Sequence, residues 1–216
     1  PPPPRPRPAP EAAEAVGRAR LNWRYLGKMV HGFILFETGN GLVLLDPDAA
    51  RRRIRYESTR EQFQAEIPAS QRLLLPLTLD LEPPAAAALE ENLDFLNRNG
   101  FRIEPFGRNF FRVEALPPWL EPGDGETFLR DLIGQVRQQG FTLADDQPEL
   151  AHDFLARLAT RRGREAGGSR GGESAAHYMP LAEQLLKCRD PLADPQGKAT
   201  FVELSRGELD RRFGRT

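Results

Sequence analysis

Asp46, Asp48 and Glu57 are the side chains best placed to do chemistry. They lie in the stretch LLDPDAARRRIRYE, Leu44 to Glu57, where an apolar strand ends in Asp-Pro-Asp and passes straight into a basic helix. Carboxylates gathered at a strand-to-helix junction can hold a divalent cation. A helical partner four residues on, sharing the same face, would complete such a grip. Here the helix supplies Arg51, Arg52 and Arg53 instead. A guanidinium keeps its proton and has no lone pair to offer a metal. The plainer reading makes each acid structural. Asp46 caps the helix, accepting orphan backbone N–H bonds at its positive end. Asp48 and Arg52 pair across one turn, worth roughly 0.3–0.5 kcal/mol when exposed. Glu57 pairs with Arg53 or Arg60.

A second candidate is QRLLLP, Gln71 to Pro76. The surrounding LLLPLTLDL alternates well enough to be an ordinary core strand. The same residues would serve as an extended docking peptide, its leucines filling an apolar groove and its proline limiting the entropy lost on binding. The run RRRIR, Arg51 to Arg55, reads as the solvated face of an amphipathic helix or as a contact to DNA phosphates.

The bulk numbers narrow the classes. The chain has 216 residues, with thirty basic side chains against thirty-one acidic ones and a net charge of −1. Nothing here attracts nucleic acid globally, so any DNA contact must be local and weak. Cys188 is the only cysteine, which excludes an internal disulfide and a cysteine-rich zinc site within these residues. His31, His152 and His177 are not at helical ligand spacing. For His31 a structural hydrogen bond is expected rather than catalysis. No apolar run is long enough to span a bilayer, and no signal-peptide pattern opens the chain, so a cytoplasmic location is expected.

The elements that must position these residues can be placed by punctuation. Residues 1–21, PPPPRPRPAPEAAEAVGRARL, are too proline-rich at their start for regular structure and read as the end of an interdomain linker. KMVHGFILFETGNGLVLLD gives two apolar strands about a turn at Thr38–Gly41, with Asn-Gly supplying positive φ. The unbroken run Leu42–Leu45 suits a strand covered on both faces. Pro47 opens a helix running to about Gln64. A helix follows in PPAAAALEENLDFLNRNG, with Leu89, Leu93 and Leu96 on one face and Gly100 past its end. FRIEPF and NFFRVEAL are short strands about Gly107-Arg108. GETFLRDLIGQVRQQG is a helix with Phe128, Leu129, Leu132, Ile133 and Val136 as its stripe. Helices are expected over about Leu150–Arg164 and Tyr178–Cys188, with the loop GGSRGG between. KATFVEL is a strand, and SRGELDRRF a last helix with Ser205 and Glu208 as a capping box. Trp23, Tyr25, Phe33 and Phe36 read as core or as a seam between copies.

Taken in order, these stretches resemble one family. MVHGFILFETGNGLVLLDPDAARRRIRYE resembles the start of the C-terminal domain of MutL mismatch-repair proteins, where a strand–turn–strand leads into a helix with the pattern D-Q-H-A-x-x-E-x-x-x-x-E. SQRLLLP resembles that domain's sliding-clamp-binding segment. EENLDFLNRNGFRIEPFGRNFFRVEALP resembles its external, or regulatory, subdomain. DPQGKATFVELSRGELDRRFGR resembles its end, where C-P-H-G-R-P precedes a strand and a helix. The resemblance covers roughly Asn22 to Thr216. It implies a mixed α/β (α+β) fold: a dimerisation subdomain over 22–70 and 146–216, with an external subdomain over 71–145 inserted. It also implies that residues 1–21 end the linker from an N-terminal ATPase in a full-length protein.

Many members of that family nick DNA with a metal site built from these motifs, and the carry-over is unfavourable here. Asp46 matches the first position of the helix motif and Glu57 its last acidic one. Asp48 stands at the histidine and Arg52 at the metal-binding glutamate. In the second motif Asp194, Pro195, Gln196, Gly197, Lys198 and Ala199 occupy C-P-H-G-R-P, so cysteine and histidine are both absent. A third motif, an Ala-Cys helix, has Thr160 at its cysteine. Gln196 is a poor substitute for imidazole.

The resemblance therefore implies a homodimerising, clamp-docking domain without its own endonuclease activity and without a cofactor. Gln71 would be the polar anchor, Leu74 and Leu75 the pocket fillers, and Pro76 the stiffener. The partners implied are a second copy, the DNA polymerase sliding clamp and, through the full-length protein, a MutS-like mismatch sensor, in a nucleoid-associated setting. The alternative is a divalent-metal DNA nickase rewired around Asp46, Asp48, Glu57 and Asp194.

Overall fold

The computed structural model describes residues 22–63, 68–140, 142–143, 148–162 and 174–215, with only the backbone for 161–162. The proline-rich start and the GGSRGG loop lie outside the described residues. The fold is mixed α/β, with helices and two antiparallel sheets. The chain divides into two compact units: residues 1–57 with 166–216, and residues 58–165.

The first unit carries a four-stranded sheet in the order β1-β2-β3-β7. Its strands are β1 (Arg24–Lys28), β2 (Ile34–Thr38), β3 (Gly41–Leu45) and β7 (Phe201–Ser205). Cross-strand partners share a face. Ile34 pairs with Leu45 and Leu45 with Phe201; Phe36 pairs with Val43. These five are buried, and Ala50, Tyr178, Ala182 and Leu185 close over them. The covering residues come from helix α1 (Pro47–Phe63) and helix α5 (Ala175–Lys187). Trp23 and Tyr25 lean on Phe36 at ring separations of 5.3 and 6.0 Å, so they belong to this core, whereas Phe33 is exposed. α5 begins earlier than its sequence pattern indicates and contains Pro180 in its second turn, accepting the loss of one backbone bond. The final helix, α6 (Arg206–Arg212), keeps half of the capping box. Ser205 Oγ accepts from the Glu208 N–H at 3.2 Å, while the Glu208 carboxylate turns to Arg212 at 2.8 Å.

The hairpin turn between β2 and β3 differs from its expected form. Thr38 pairs with Gly41, leaving Gly39 and Asn40 as the two loop residues. Among the described residues no non-glycine has positive φ, so Asn40 does not supply it. Gly41 is required for another reason. A Cβ there would lie 2.1 Å from the Leu204 carbonyl oxygen, so only glycine lets β7 approach this closely.

The second unit carries a three-stranded sheet in the order β4-β6-β5. Its strands are β4 (Gln71–Asp80), β5 (Arg102–Pro105) and β6 (Phe110–Leu116). Helices α2 (Pro83–Arg98), α3 (Gly125–Gln139) and α4 (Pro148–Arg162) complete it. The stripe of α3 is buried at all five expected positions, and Gly140 ends the helix in the left-handed region, donating to Val136 O. On α2 the buried positions are Ala86, Leu89, Asn92, Phe95 and Leu96; Leu93 is only half-buried.

His152 on α4 is a structural histidine of this unit. Its ring stacks on Phe63 at 4.9 Å and leans on Phe95 at 5.5 Å. Asn99 Nδ2 donates to Phe95 O at 2.7 Å, which turns Asn99 Oδ1 toward His152 Nε2 at 2.9 Å. Nε2 therefore carries the proton and donates. Burial lowers the pKa of this imidazole, the Arg60 charge lowers it further, and Glu149 partly opposes both. The unfolded chain, with a pKa of about 6.5, binds the proton before the folded one does. The stability contributed by neutral His152 is thus complete above about pH 6.5 and is lost as pH falls through the lowered folded value. Urea midpoints should drop between about pH 7.5 and about pH 5.5, and His152→Gln should flatten that drop.

Candidate functional site

The N-terminal half of α1 faces the segment that follows α5, and the two are tied by charge. Asp46 Oδ1 accepts the N–H groups of Asp48 and Ala49 at 2.9 and 3.1 Å, making it the helix cap. Its own N–H donates to Thr200 O at 2.8 Å. Asp48 does not pair with Arg52. It accepts from Arg51, one residue nearer, at 3.2 Å, and Arg51 also reaches His177 Nε2 at 3.4 Å. Arg52 turns away from its own helix and donates Nε to Asp194 Oδ2 at 2.8 Å. A buried carboxylate attracts a guanidinium far more strongly than the exposed Asp48 can.

Arg53 is the hub: the expected i,i+4 pair with Glu57 forms, while its contacts to Ala193 and Asp190 had no signal in the sequence. It is buried, donates Nε to Ala193 O at 2.6 Å, and reaches Glu57 at 3.3 Å and Asp190 at 3.2 Å. Glu57 in turn accepts the backbone N–H groups of Arg189 and Asp190 at 3.0 and 3.3 Å. For Arg55 no polar partner is found among the described residues. The solvated-face reading of RRRIR therefore fails at Arg53, which is a packed structural cation.

The donor set does not fit a divalent metal. Asp194 has a fully enclosed side chain, with Oδ1 accepting the N–H groups of Gln196 and Lys198 at 2.9 and 2.8 Å and Oδ2 held by Arg52. Both oxygens of Glu57 accept protein N–H groups. Asp46 serves the helix end. Gln196 contributes its backbone N–H and is itself exposed. Thr160 is buried and donates to Arg157 O at 2.8 Å, an ordinary helical back-bond. Among the described residues no group of three or more His, Cys, Asp or Glu could hold a metal ion. His31 is exposed, with no hydrogen bond to its ring among the described residues, so the expected structural bond is not there.

The QRLLLP segment forms the first part of β4 and is extruded from it. Arg72 pairs with Ala115 and the next pair is Leu77 with Val113, so four residues of β4 oppose Glu114 alone. A bulge of this kind breaks the in–out alternation that the leucines alone suggest. Leu73 stays buried, while Leu74 is 98% and Leu75 78% exposed; Gln71 and Pro76 are exposed as well.

A second exposed apolar surface lies on the sheet of the first unit, opposite its core. Leu35 pairs with Leu44 and Leu44 with Val202, a row across three strands. Val202 is 53% exposed and the two leucines are half-buried. Among the described residues the outward face of β3 is only half-covered, so the expected cover on both faces is incomplete there. The β1–β2 loop adds exposed Met29, Val30 and Phe33. Among the described residues no helix is long and apolar enough to cross a membrane.

Comparison with known proteins gives one answer. Residues 26–169 match the MutL C terminal dimerisation domain. The chain is 44% identical over 193 residues to the DNA mismatch repair protein MutL of Opitutus terrae, covering 89% of this chain and 30% of that protein. It is 35% identical over 199 residues to the protein of the same name from Akkermansia muciniphila, covering 91% and 30%. With that from Gemmatimonas aurantiaca it shares 38% over 184 residues, covering 85% and 29%. The chain thus spans less than a third of the length of these relatives. With the mixed α/β architecture and the match to residues 26–169, the chain belongs to the MutL C-terminal dimerisation domain family.

Proposed function

We propose that this domain joins two copies of a DNA mismatch repair protein and docks a sliding clamp, and that it neither nicks DNA nor needs a cofactor. The observation that carries the dimer is the Leu35–Leu44–Val202 row, an apolar sheet face that the described residues leave partly exposed. Relatives named as mismatch repair proteins and a family named for dimerisation support a second copy as its cover. Joining two chains turns association of whatever arms they carry into an intramolecular event at high effective concentration. Contacts with a MutS-like sensor would run through the full-length protein. Light scattering on the purified chain at micromolar concentration tests the reading: a dimer mass is expected, and a monomer sinks it.

The engagement of Asp46, Glu57 and Asp194 supports a domain that does not nick. The rewired-nickase alternative would have to draw Asp194 and Glu57 away from the N–H groups and guanidinium groups that hold both of their oxygens. Supercoiled plasmid incubated with the full-length protein, Mn²⁺ and the cognate clamp should stay intact beside an active relative. Nicking that vanishes with Asp46→Asn would restore the enzyme.

A further inference from the structure

We propose that the Arg52 guanidinium is a fixed, tethered cation occupying the place at Asp194 where a divalent ion would have to bind, so that this centre is closed to metal by its own side chain. The inference stands apart from dimerisation and clamp docking.

The argument starts from Asp194. Its side chain has no solvent exposure, and its Oδ1 organises the 194–198 turn by accepting two backbone N–H groups. A carboxylate enclosed in this way requires a countercharge, since unpaired burial is strongly unfavourable. Here the countercharge arrives on the chain. Arg52 Nε lies 2.8 Å from Oδ2, with a quarter of the arginine side chain still reaching solvent. The two residues are 142 positions apart, so the pair also holds the post-α5 segment against α1. A guanidinium delivers charge without lone pairs. It therefore satisfies the carboxylate and repels any divalent ion approaching the same oxygen. Arg53 pairs in a similar way one residue on, bridging Glu57 and the more exposed Asp190. Together the two arginines hold these carboxylates by charge-assisted hydrogen bonds, whose formation does not depend on metal supply.

The proposal predicts that exchanging the tethered cation for a carboxylate reopens the place. In wild-type protein, calorimetric titration with Mn²⁺ should show no saturable uptake, and Mn²⁺ should leave the melting temperature unmoved. Arg52→Gln should melt lower than wild type and gain nothing from Mn²⁺. Arg52→Glu should melt lowest without metal, recover on adding Mn²⁺, and bind it at least about tenfold more tightly than wild type does. Asp194→Asn in that background should abolish the uptake. Saturable Mn²⁺ binding by the wild type would overturn the proposal. So would an Arg52→Gln melting temperature equal to wild type, absence of uptake by folded Arg52→Glu, or uptake that survives Asp194→Asn. If Arg52→Glu does not fold, the wild-type titration and the Arg52→Gln melting temperature each remain able to refute it.

Discussion

Replacing Gln71 and Leu74 together by alanine should abolish binding of the cognate sliding clamp while leaving the melting temperature where it was. The reason lies in the bulge of β4. Leu74 is almost wholly exposed, so truncating it removes no packing from the folded chain, and exposed positions of this kind stay within about 0.5 kcal/mol. In a clamp pocket the same side chain would be fully enclosed, and its loss would cost about 2 kcal/mol, or about thirtyfold in affinity. Removing the polar anchor at Gln71 adds the loss of its hydrogen bonds, about 1 kcal/mol more. Peptide docking of this type begins weak, so the sum should place binding beyond detection. Leu73→Ala supplies the contrast. That neighbour is buried, and its truncation should destabilise the unit by about 2–5 kcal/mol. Clamp affinity that survives Gln71→Ala with Leu74→Ala, measured by surface-immobilised clamp, would show the exposed leucines to be incidental.

How far the sequence could reveal this differs between the fold and the site, for physical reasons. Elements marked by local chemistry were readable: Gly100 and Gly140 end α2 and α3, Pro47 and Asp46 start α1, and the α3 stripe is buried as its period indicates. Features set by distant partners were not. β1 reads RYLGK, too mixed to declare itself, and it forms a bulged edge strand because β2 is there to pair with. The β4 bulge is invisible in an alternation of leucines, because register belongs to the partner strand. Arg52 illustrates the limit most sharply. Helical spacing offered Asp48 four residues away, whereas the fold offered Asp194, enclosed and short of a countercharge. Local periodicity ranks neighbours on one helix; it says nothing of a carboxylate that only the tertiary structure brings near.

Val202→Asp should convert the dimer to monomers at concentrations where wild type remains paired. Val202 ends the row begun by Leu35 and Leu44 on the uncovered sheet face, and it is the most exposed of the three. In the single chain an aspartate there stays in water, so folding should be unaffected. In a two-fold symmetric interface the same surface meets itself, and each copy contributes one carboxylate to a dry contact. At about 2 kcal/mol for each unpaired polar group removed from water, the penalty is about 4 kcal/mol, or about a thousandfold in the dissociation constant. Glu203→Lys is the matching control, since the next residue of β7 points to the opposite face and is already exposed. Sedimentation velocity across a concentration series should show Val202→Asp as a monomer and Glu203→Lys as a dimer, with both melting like wild type. The continuous apolar run Leu42–Leu45 then has its explanation. Its inward residues pack against α1 and α5, and on this reading its outward ones would meet a second copy. A Val202→Asp protein that still sediments as a dimer would move the interface elsewhere, with the exposed β1–β2 loop carrying Val30 and Phe33 as the next surface to test.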